Sequence, residues 1–235
     1  MGRGTWASLA LLMLGLAVVA GFYFDQNTRI SSVEFSGHTF TPVEELENSM
    51  LSPIGLLADS VDYEEIYRSV SKLPYVKNVA VRMSYRGILT VEIDERTPIG
   101  LLSGSRPVYF DEAGIQLPVV QGNHVDVPIV YGFEETTPGD TLSGDGFDQV
   151  LSFLNQATRD PFSWATLSEV AWSEDEGVVA LSNENGVKLL FGENRFDQKI
   201  EHWKAFYQRV VAHRGINSFR SIDLRFRNQI VTDEL

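Results

Sequence analysis

The side chains most often used for catalysis or metal binding are scattered in this sequence. It contains no cysteine, which excludes thiol nucleophiles and cysteine-based metal or redox centres. Its histidines form no pair at helical ligand spacing; they are His38, His124, His202 and His213. Phosphate-binding loops and serine-hydrolase motifs are missing from the sequence as well. We therefore expect no enzyme activity, no cofactor and no metal site.

Two groups of carboxylates come closest to a reactive pattern. Asp140, Asp145 and Asp148 surround two glycines, but their spacing misses the alternating oxygen ligands of a calcium loop. Asp111 and Glu112 are adjacent and would point to opposite faces of a strand, so a turn before Gly114 is favoured over an acid–base pair. A hydrolase whose carboxylates meet only in three dimensions stays open as an alternative.

The charge distribution argues for a protein partner and against nucleic acid. The net charge is −13, whereas phosphate binding needs a concentrated basic surface. Residues 195–235 nevertheless hold eight basic and five acidic residues, and residues 25–194 hold ten basic and twenty-seven acidic ones. This basic C-terminal segment could dock on the acidic body, recruit an acidic partner, or simply be solvated surface.

The amino-terminal segment predicts export. Residues 6–24 carry no charge and are long enough to cross a bilayer as a helix. Arg3 precedes the segment and Asp25 follows it, so residues 1–5 are expected in the cytoplasm and the body outside. The alternative is a cleaved signal peptide, because Val18-Val19-Ala20 resembles a cleavage site.

Hydrophobic periodicity predicts strand, helix, helix, strand, strand over the next seventy residues. The strand at 30–35 alternates, and Thr41 and Asp62 are candidate N-caps of the two helices. Strands at 76–85 and 88–96 flank the turn Arg86-Gly87. A tight turn places Val79, Val81 and Met83 on one face with Leu89, Val91 and Ile93. Two helices covering one side of a three-stranded sheet is the simplest arrangement.

A second set of elements follows the Thr97-Pro98 punctuation. The predicted strands are 108–110, 129–131, 167–172, 178–181 and 187–191, the helices are 147–157 and 196–211, and the last one or two strands are 222–226 and 229–232. The strands between 167 and 191 read as consecutive antiparallel ones. A terminal strand would lie at the sheet edge, where its unpaired backbone groups can accept a partner strand.

Four phrases in this order carry a family resemblance. They are ISSVEFSGHTF from residue 30, LPYVKNVAVRMSYRGILTVEIDERTPIGLL from 73, VYFDEAGIQLPVV from 108 and SIDLRFRNQIVT from 221. Together with the single amino-terminal span, they resemble the bacterial cell-division family FtsQ/DivIB. The phrases are distributed over nearly the whole chain, and their joint occurrence is what makes the resemblance specific.

The resemblance implies an α+β fold in which a transmembrane helix at 6–24 precedes two exported domains. Residues 25–96 would form a POTRA domain (β-α-α-β-β), and residues 97–235 the family's β domain, an antiparallel sheet with flanking helices. The implied location is the inner membrane at the division septum, as a single-pass type II protein with its C-terminal domain in the periplasm. The competing interpretation is a POTRA-bearing export or outer-membrane assembly factor, for whose membrane-embedded part too few residues remain.

The resemblance also implies a function and a site. Such proteins are non-enzymatic scaffolds that bind FtsB/DivIC-like and FtsL-like bitopic proteins and other divisome proteins, linking early division proteins to septal peptidoglycan synthesis. The matching partner-binding positions are Asp223, Leu224, Arg225, Phe226, Asn228 and Gln229. The basic side chains of Arg220, Arg225 and Arg227 are expected to meet acidic residues of an FtsB-like partner. Phe226 stands where the family often has tyrosine, and Leu224 and Phe226 could instead be core residues. Gly37 is expected to form a turn beside a second candidate surface in the POTRA domain.

Overall fold

The computed structural model describes residues 11–17, 28–134 and 137–235. Its contacts divide the chain into two units, one ending at Glu95 and one starting at Arg96. Residues 11–17 are helical with exposed side chains, and the rest of the predicted span at 6–24 lies outside the described residues. Over the described ranges, no helix has both the length and the apolar character needed to cross a membrane.

The first unit has the predicted order of elements. Its elements are β1 (Ser32–Ser36), α1 (Val43–Ser49), a short 3-10 helix (Ala58–Ser60), α2 (Tyr63–Val70), β2 (Val76–Met83) and β3 (Ile88–Glu95). The sheet order is β1-β3-β2, in which β3 runs parallel to β1 and antiparallel to β2. The two helices run back and out again, and β2 then returns the chain to its starting end, so that β3 can run parallel to β1.

The predicted register of the first sheet is confirmed. Val79 lies opposite Ile93, Val81 opposite Val91 and Met83 opposite Leu89, so one face of the sheet is apolar. This face packs on the helices around a buried core of Ile30, Leu46, Ile66, Val70, Val76, Leu89, Val91 and Ile93. The Asp62 cap is also confirmed, because its carboxylate accepts from the Glu65 N–H at 3.0 Å. The Thr41 cap is wrong, since Pro42 occupies that position and makes no side-chain cap.

The second unit is built on one nine-stranded sheet. Its strands are β4 (Gly100–Leu102), β5 (Val108–Phe110), β6 (Gln116–Pro118), β7 (Ile129–Tyr131), β8 (Leu167–Ser173), β9 (Gly177–Ser182), β10 (Lys188–Gly192), β11 (Phe219–Asp223) and β12 (Val231–Glu234). Their spatial order is β12-β11-β10-β9-β8-β7-β4-β5-β6. The helices are α3 (Asp145–Ala157), α4 (Pro161–Ala165) and α5 (Phe196–Phe206). A π-helical turn (Tyr207–Val211), a short α-helical turn (Ala212–Arg214) and a 3-10 helix (Ile216–Ser218) follow α5.

The α+β class is confirmed, but the sheet of the second unit is mixed rather than antiparallel. The pairs β4–β7, β7–β8 and β10–β11 are parallel. Each of the latter two pairs is joined by a crossover that contains a helix, α3 or α5, and such a connection brings the chain back to run in the same direction. The predicted antiparallel run from β8 to β10 is confirmed.

Aromatic side chains hold the helices of the second unit to its sheet. Trp203 of α5 is fully buried, and its indole N–H donates to the Thr166 hydroxyl at 2.9 Å. Phe153 of α3 packs on Phe191 of β10, with ring centroids 4.6 Å apart. Burying a large aromatic ring contributes more than any single polar contact in such a core. The helix predicted at 147–157 corresponds to α3, which starts two residues earlier, at Asp145.

The end of the chain differs from the prediction of a strand at 222–226. The strand β11 ends at Asp223, and the chain then turns through residues 224–230 before β12. Leu224 belongs to the core of the second unit, and its side chain is fully buried. The family-like phrase SIDLRF therefore covers the end of an interior strand and the start of a turn, not a sheet edge.

Candidate partner-binding edge of the sheet

The two edges of the nine-stranded sheet are different. At one end, β6 is covered by residues 139–142: the Gln116 N–H donates to the Asp140 carbonyl at 2.9 Å, and Gly139 donates back to the Gln116 carbonyl at 2.8 Å. Pro118 removes a further donor from that strand. At the other end, β12 pairs with β11 only, and no segment within 28–134 or 137–235 pairs with its outer side. The open edge is therefore β12.

The register of β12 identifies which of its backbone groups face outward. Val231 lies opposite Asp223 and Asp233 opposite Ser221, and the N–H of Leu235 donates to the Ser218 carbonyl at 3.2 Å. Backbone groups alternate in direction along a strand, so those of Val231, Asp233 and Leu235 face β11. The N–H and C=O groups of Thr232 and Glu234 are then the ones available to another strand.

The turn between β11 and β12 is fixed at its start by an ion pair. The Arg225 Nη2 lies 2.7 Å from the Asp223 carboxylate, which also accepts from the Arg225 backbone N–H at 3.0 Å. Leu224 anchors the turn on its other side, because its side chain is buried and its N–H donates to the Leu190 carbonyl at 2.9 Å. Three of the predicted site residues thus shape the turn.

Burial and charge act in opposite directions on Asp223. Burial favours its neutral form, but the hydrogen bonds and charge of Arg225 and the nearby Lys199 outweigh this, so the pKa of Asp223 is below its usual value. Burial, reinforced by the charge of Arg195, lowers the pKa of the Lys199 amine. That amine donates to the Phe191 carbonyl at 2.5 Å. The base of the turn is therefore a partly buried, hydrogen-bonded charge cluster.

Exposed side chains of the turn and of β12 surround the open edge. Phe226 is 45% exposed and Val231 is 44% exposed, although both are apolar. A groove of about 540 Å³ lies beside them, between α5 and the turn; its lining includes Phe206, Arg209, Arg227, Asn228, Gln229 and Ile230. Four more of the predicted site residues, Phe226 to Gln229, are therefore brought together on the surface beside β12.

The basic residues of this region differ in whether they already have partners. Arg220 lies 3.3 Å from the Asp233 carboxylate, and Arg214 forms two hydrogen bonds of 2.8 and 3.0 Å with Glu234. Arg225 is engaged by Asp223. Arg227 makes no ion pair with any residue that the structure describes. Of the three arginines expected to meet an acidic partner, Arg227 is the one whose charge is uncompensated.

Gly37 lies at a turn of the first unit, where the backbone needs it. Its φ is +81°, and a Cβ there would lie 2.0 Å from the Ile93 carbonyl oxygen. The turn is held further on by Glu95, whose carboxylate accepts from the N–H groups of Thr39, Phe40 and Thr41 at 2.6–2.8 Å. These contacts show a structural role for Gly37; any binding surface beside it remains a prediction.

The carboxylates that came closest to a reactive pattern in the sequence have structural roles in the fold. Asp111 is buried, pairs with Arg96 at 2.8 Å and accepts from the N–H groups of Ala113 and Ile115, so it builds the predicted turn before Gly114. Asp145 and Asp148 lie in the first turn of α3. Among the residues with described coordinates, no group of three or more histidine, aspartate or glutamate side chains could hold a metal ion.

Sequence reasoning missed Thr232 and Glu234, the two residues whose backbone faces outward. The proline in β6 and the exposed apolar Val231 were the available signals for telling the two edges apart. The order of strands in the sheet, which decides that β11 is interior, could not be read from a local pattern.

Comparisons with known proteins cover both units. The description "POTRA domain, FtsQ-type" matches residues 28–96, and "FtsQ/DivIB, C-terminal related" matches residues 97–233. The cell division protein FtsQ of Rhodothermus marinus is 28% identical over 238 residues, covering 96% of this chain and 86% of that protein. The protein of the same name from Salinibacter ruber is 24% identical over 240 residues, covering 96% and 91%.

The two matched ranges meet at residue 96, beside the division between the structural units at Glu95 and Arg96. The C-terminal match alone spans more than half of the chain and contains β11, the following turn and β12 as far as Asp233. The chain therefore belongs to the FtsQ/DivIB family.

Proposed function

We propose that this protein is a membrane-anchored, non-enzymatic scaffold of the bacterial cell-division machinery that receives a partner strand on β12. The observation that carries the proposal is the open outer edge of β12, at the end of a sheet whose other end is covered. Its relatives carry the name "Cell division protein FtsQ", and this name supports a role in cell division. The family resemblance favours FtsB/DivIC-like and FtsL-like proteins as the partners.

Recognition would combine backbone and side-chain contacts. A partner strand pairing with β12 satisfies the outward N–H and C=O groups of Thr232 and Glu234, and this pairing gives affinity without selecting a sequence. Selectivity would come from the surroundings of the edge. Phe226 and Val231 offer apolar contact, and Arg227 offers a charge that an acidic partner residue can meet.

The anchor is proposed on the uncharged segment 6–24. Its described part, residues 11–17, is helical, and the large side chains there are 59–70% exposed; they are Leu11, Leu12, Met13, Leu14 and Leu16. Exposed apolar side chains all around a helix are typical of a segment that lipid surrounds. An anchor would hold the scaffold and its bitopic partners in one membrane, which raises their effective concentration.

A proline substitution at an outward-facing position tests the strand pairing. Thr232→Pro removes one N–H from the open side of β12 and leaves the ladder with β11 in place, because that N–H does not face β11. We expect the affinity for the exported segment of the FtsB-like protein to fall at least about tenfold. The melting temperature of the purified chain should stay near that of the wild type.

Thr232→Ala is the matched control, since it removes the same side chain and keeps the N–H. Its affinity should be within about twofold of the wild type. Truncation before Ser221 is not a usable alternative, because it deletes the fully buried Ile222 and Leu224. Equal binding by the proline and alanine variants, with both folded, would contradict pairing on β12.

A further inference from the structure

The chain enters the first unit between two loops. The Ile30 N–H donates to the Leu56 carbonyl at 3.0 Å, and the Gly55 N–H donates to the Ile30 carbonyl at 2.8 Å. On the other side, the Ser31 N–H donates to the Gly87 carbonyl at 2.8 Å. Residues 28–31, 51–57 and 84–87 therefore form one end of the unit, which we call the entry end.

The order of elements explains why these segments meet. The strand β1 leads away from the entry end, α1 returns to it, α2 leads away, β2 returns and β3 leads away. The loop after α1 and the turn after β2 must then both lie where the chain began. Gly87 permits the close approach, because a Cβ on it would lie 2.2 Å from the Arg29 carbonyl oxygen.

The entry end exposes large apolar side chains. Leu51 is 82% exposed, Ile54 58%, Leu56 48% and Tyr85 84%. Single exposed apolar residues are ordinary on protein surfaces. Four of them on the loops of one end form a group, and grouped apolar residues of this kind mark a surface that contacts a protein or a membrane. The fold does not need them in its interior, because its core is already closed around other residues.

The charge of the entry end is opposite to that of the unit. Its three segments contain Arg29 and Arg86 and no acidic residue, although Asp59 follows shortly after. Residues 28–95 as a whole hold six basic and eleven acidic residues. The Arg86 guanidinium lies 5.4 Å from the centre of the Tyr85 ring. Aliphatic, aromatic and arginine side chains together are the composition of segments that lie in a membrane interface.

The length of chain before the entry end identifies the surface that it faces. The uncharged segment ends at Phe24 and the first described residue of the unit is Thr28, so three residues lie between them and the link is four residue steps long. Four residues span at most about 14 Å. The headgroup region of one leaflet is roughly 5–8 Å thick. The entry end is thus held within roughly 10 Å of the lipid headgroups whenever the anchor is inserted.

We infer that the entry end is a second membrane contact, in which Leu51, Ile54 and Leu56 enter the headgroup–acyl boundary of the outer leaflet. Tyr85 and Arg86 lie at the level of the phosphates. This inference rests on the anchor proposed above. Its consequence is that the anchor and the loops together fix the orientation of the first unit on the bilayer, so that the chain leaves the unit, at Glu95, on the side away from the membrane.

The absence of cysteine makes a site-specific test direct. Full-length chains with a single cysteine, Ile54→Cys or Lys72→Cys, carry an environment-sensitive fluorophore and are reconstituted into vesicles of phosphatidylethanolamine and phosphatidylglycerol, about one chain per vesicle. Lys72 is exposed at the opposite end of the unit and serves as the control. Lipids with a quencher near the headgroup should quench the label at 54 several-fold more than the label at 72.

A second comparison uses side-chain chemistry. Leu51→Asn together with Leu56→Asn should reduce quenching of the label at 54 towards the value at 72. Val43→Asn, an exposed apolar residue at the far end of the unit, should leave it unchanged. Equal quenching at 54 and 72 in chains that resist alkaline extraction would overturn this inference and leave the anchor intact. Release of the chain by alkali would overturn both.

Discussion

Asp223 and Arg225 illustrate how one ion pair can set the geometry of the turn beside the open edge. Asp223 is half-buried and its pKa is depressed, because Arg225 stabilises the carboxylate more strongly than burial destabilises it. A group with a depressed folded-state pKa contributes stability above its unfolded-state pKa, and this contribution is lost as the pH falls through the folded value. The pair therefore holds the turn at neutral pH and releases it in acid.

Removing this carboxylate should make the free energy of unfolding less dependent on pH in the acid range. At pH 7, Asp223→Asn is expected to cost about 1 kcal/mol in unfolding free energy, after allowance for the partial exposure of Arg225. The difference from the wild type should disappear as the pH falls below about 4. Urea unfolding across this range measures it, with Asp175→Asn, an exposed carboxylate, as the control. A difference that persists unchanged in acid would contradict the ion-pair account.

Arg227 should dominate the salt dependence of partner binding. Arg220 and Arg225 already have carboxylate partners, whereas Arg227 has none among the described residues. Arg227→Gln is expected to weaken binding roughly twofold to fivefold at low salt and to reduce its salt dependence, and Arg220→Gln should do less. Titrations at about 50 and 500 mM salt test this. Wild-type affinity that is the same at both concentrations would rule out the charge contribution.

At the scale of elements, the β4–β5 pair depends on a glycine facing an aromatic ring. Gly100 lies opposite Phe110, and a Cβ at Gly100 would lie 2.3 Å from the Cζ atom of the fully buried Phe110. Gly100→Ala should therefore lower the unfolding free energy by about 1–3 kcal/mol through overpacking. Combined with Phe110→Leu, it should cost less than the sum of the two single changes. Strictly additive effects in thermal or urea unfolding would contradict this packing.

The identity of the strand at the open edge of the second sheet also depends on how whole strands pair. The interior position of β11 follows from its parallel pairing with β10, and β12 then covers its other side. Of the two strands predicted at the end of the chain, β11 is thus interior and β12 is the open edge. In the proposed site, residues 223–225 shape the base of the turn, and residues 226–234 form the exposed surface that a partner would contact.

At the scale of the whole molecule, the proposed anchor fixes which side of the membrane each part occupies. Single cysteines at Thr5 and Lys72 test this in cells, because the chain has no other thiol. A membrane-impermeant maleimide added outside the inner membrane should label Lys72→Cys, and label Thr5→Cys only after lysis. The charge flanking the uncharged segment is the physical reason. The reverse labelling pattern would contradict the proposed orientation.

The sequence by itself determined the element order and register of the first unit. Alternation at 30–35 and 88–95 and the Arg86-Gly87 turn are local signals, and local signals suffice where neighbouring elements in the chain are neighbours in space. It also indicated the family and the residues of the β11–β12 region. Only the tertiary structure decided that the second sheet is mixed, that Leu224 is core and that β12 is the open edge. These depend on pairings between distant segments, such as β10 with β11 across α5, and the periodicity of either strand alone carries no information about its partner.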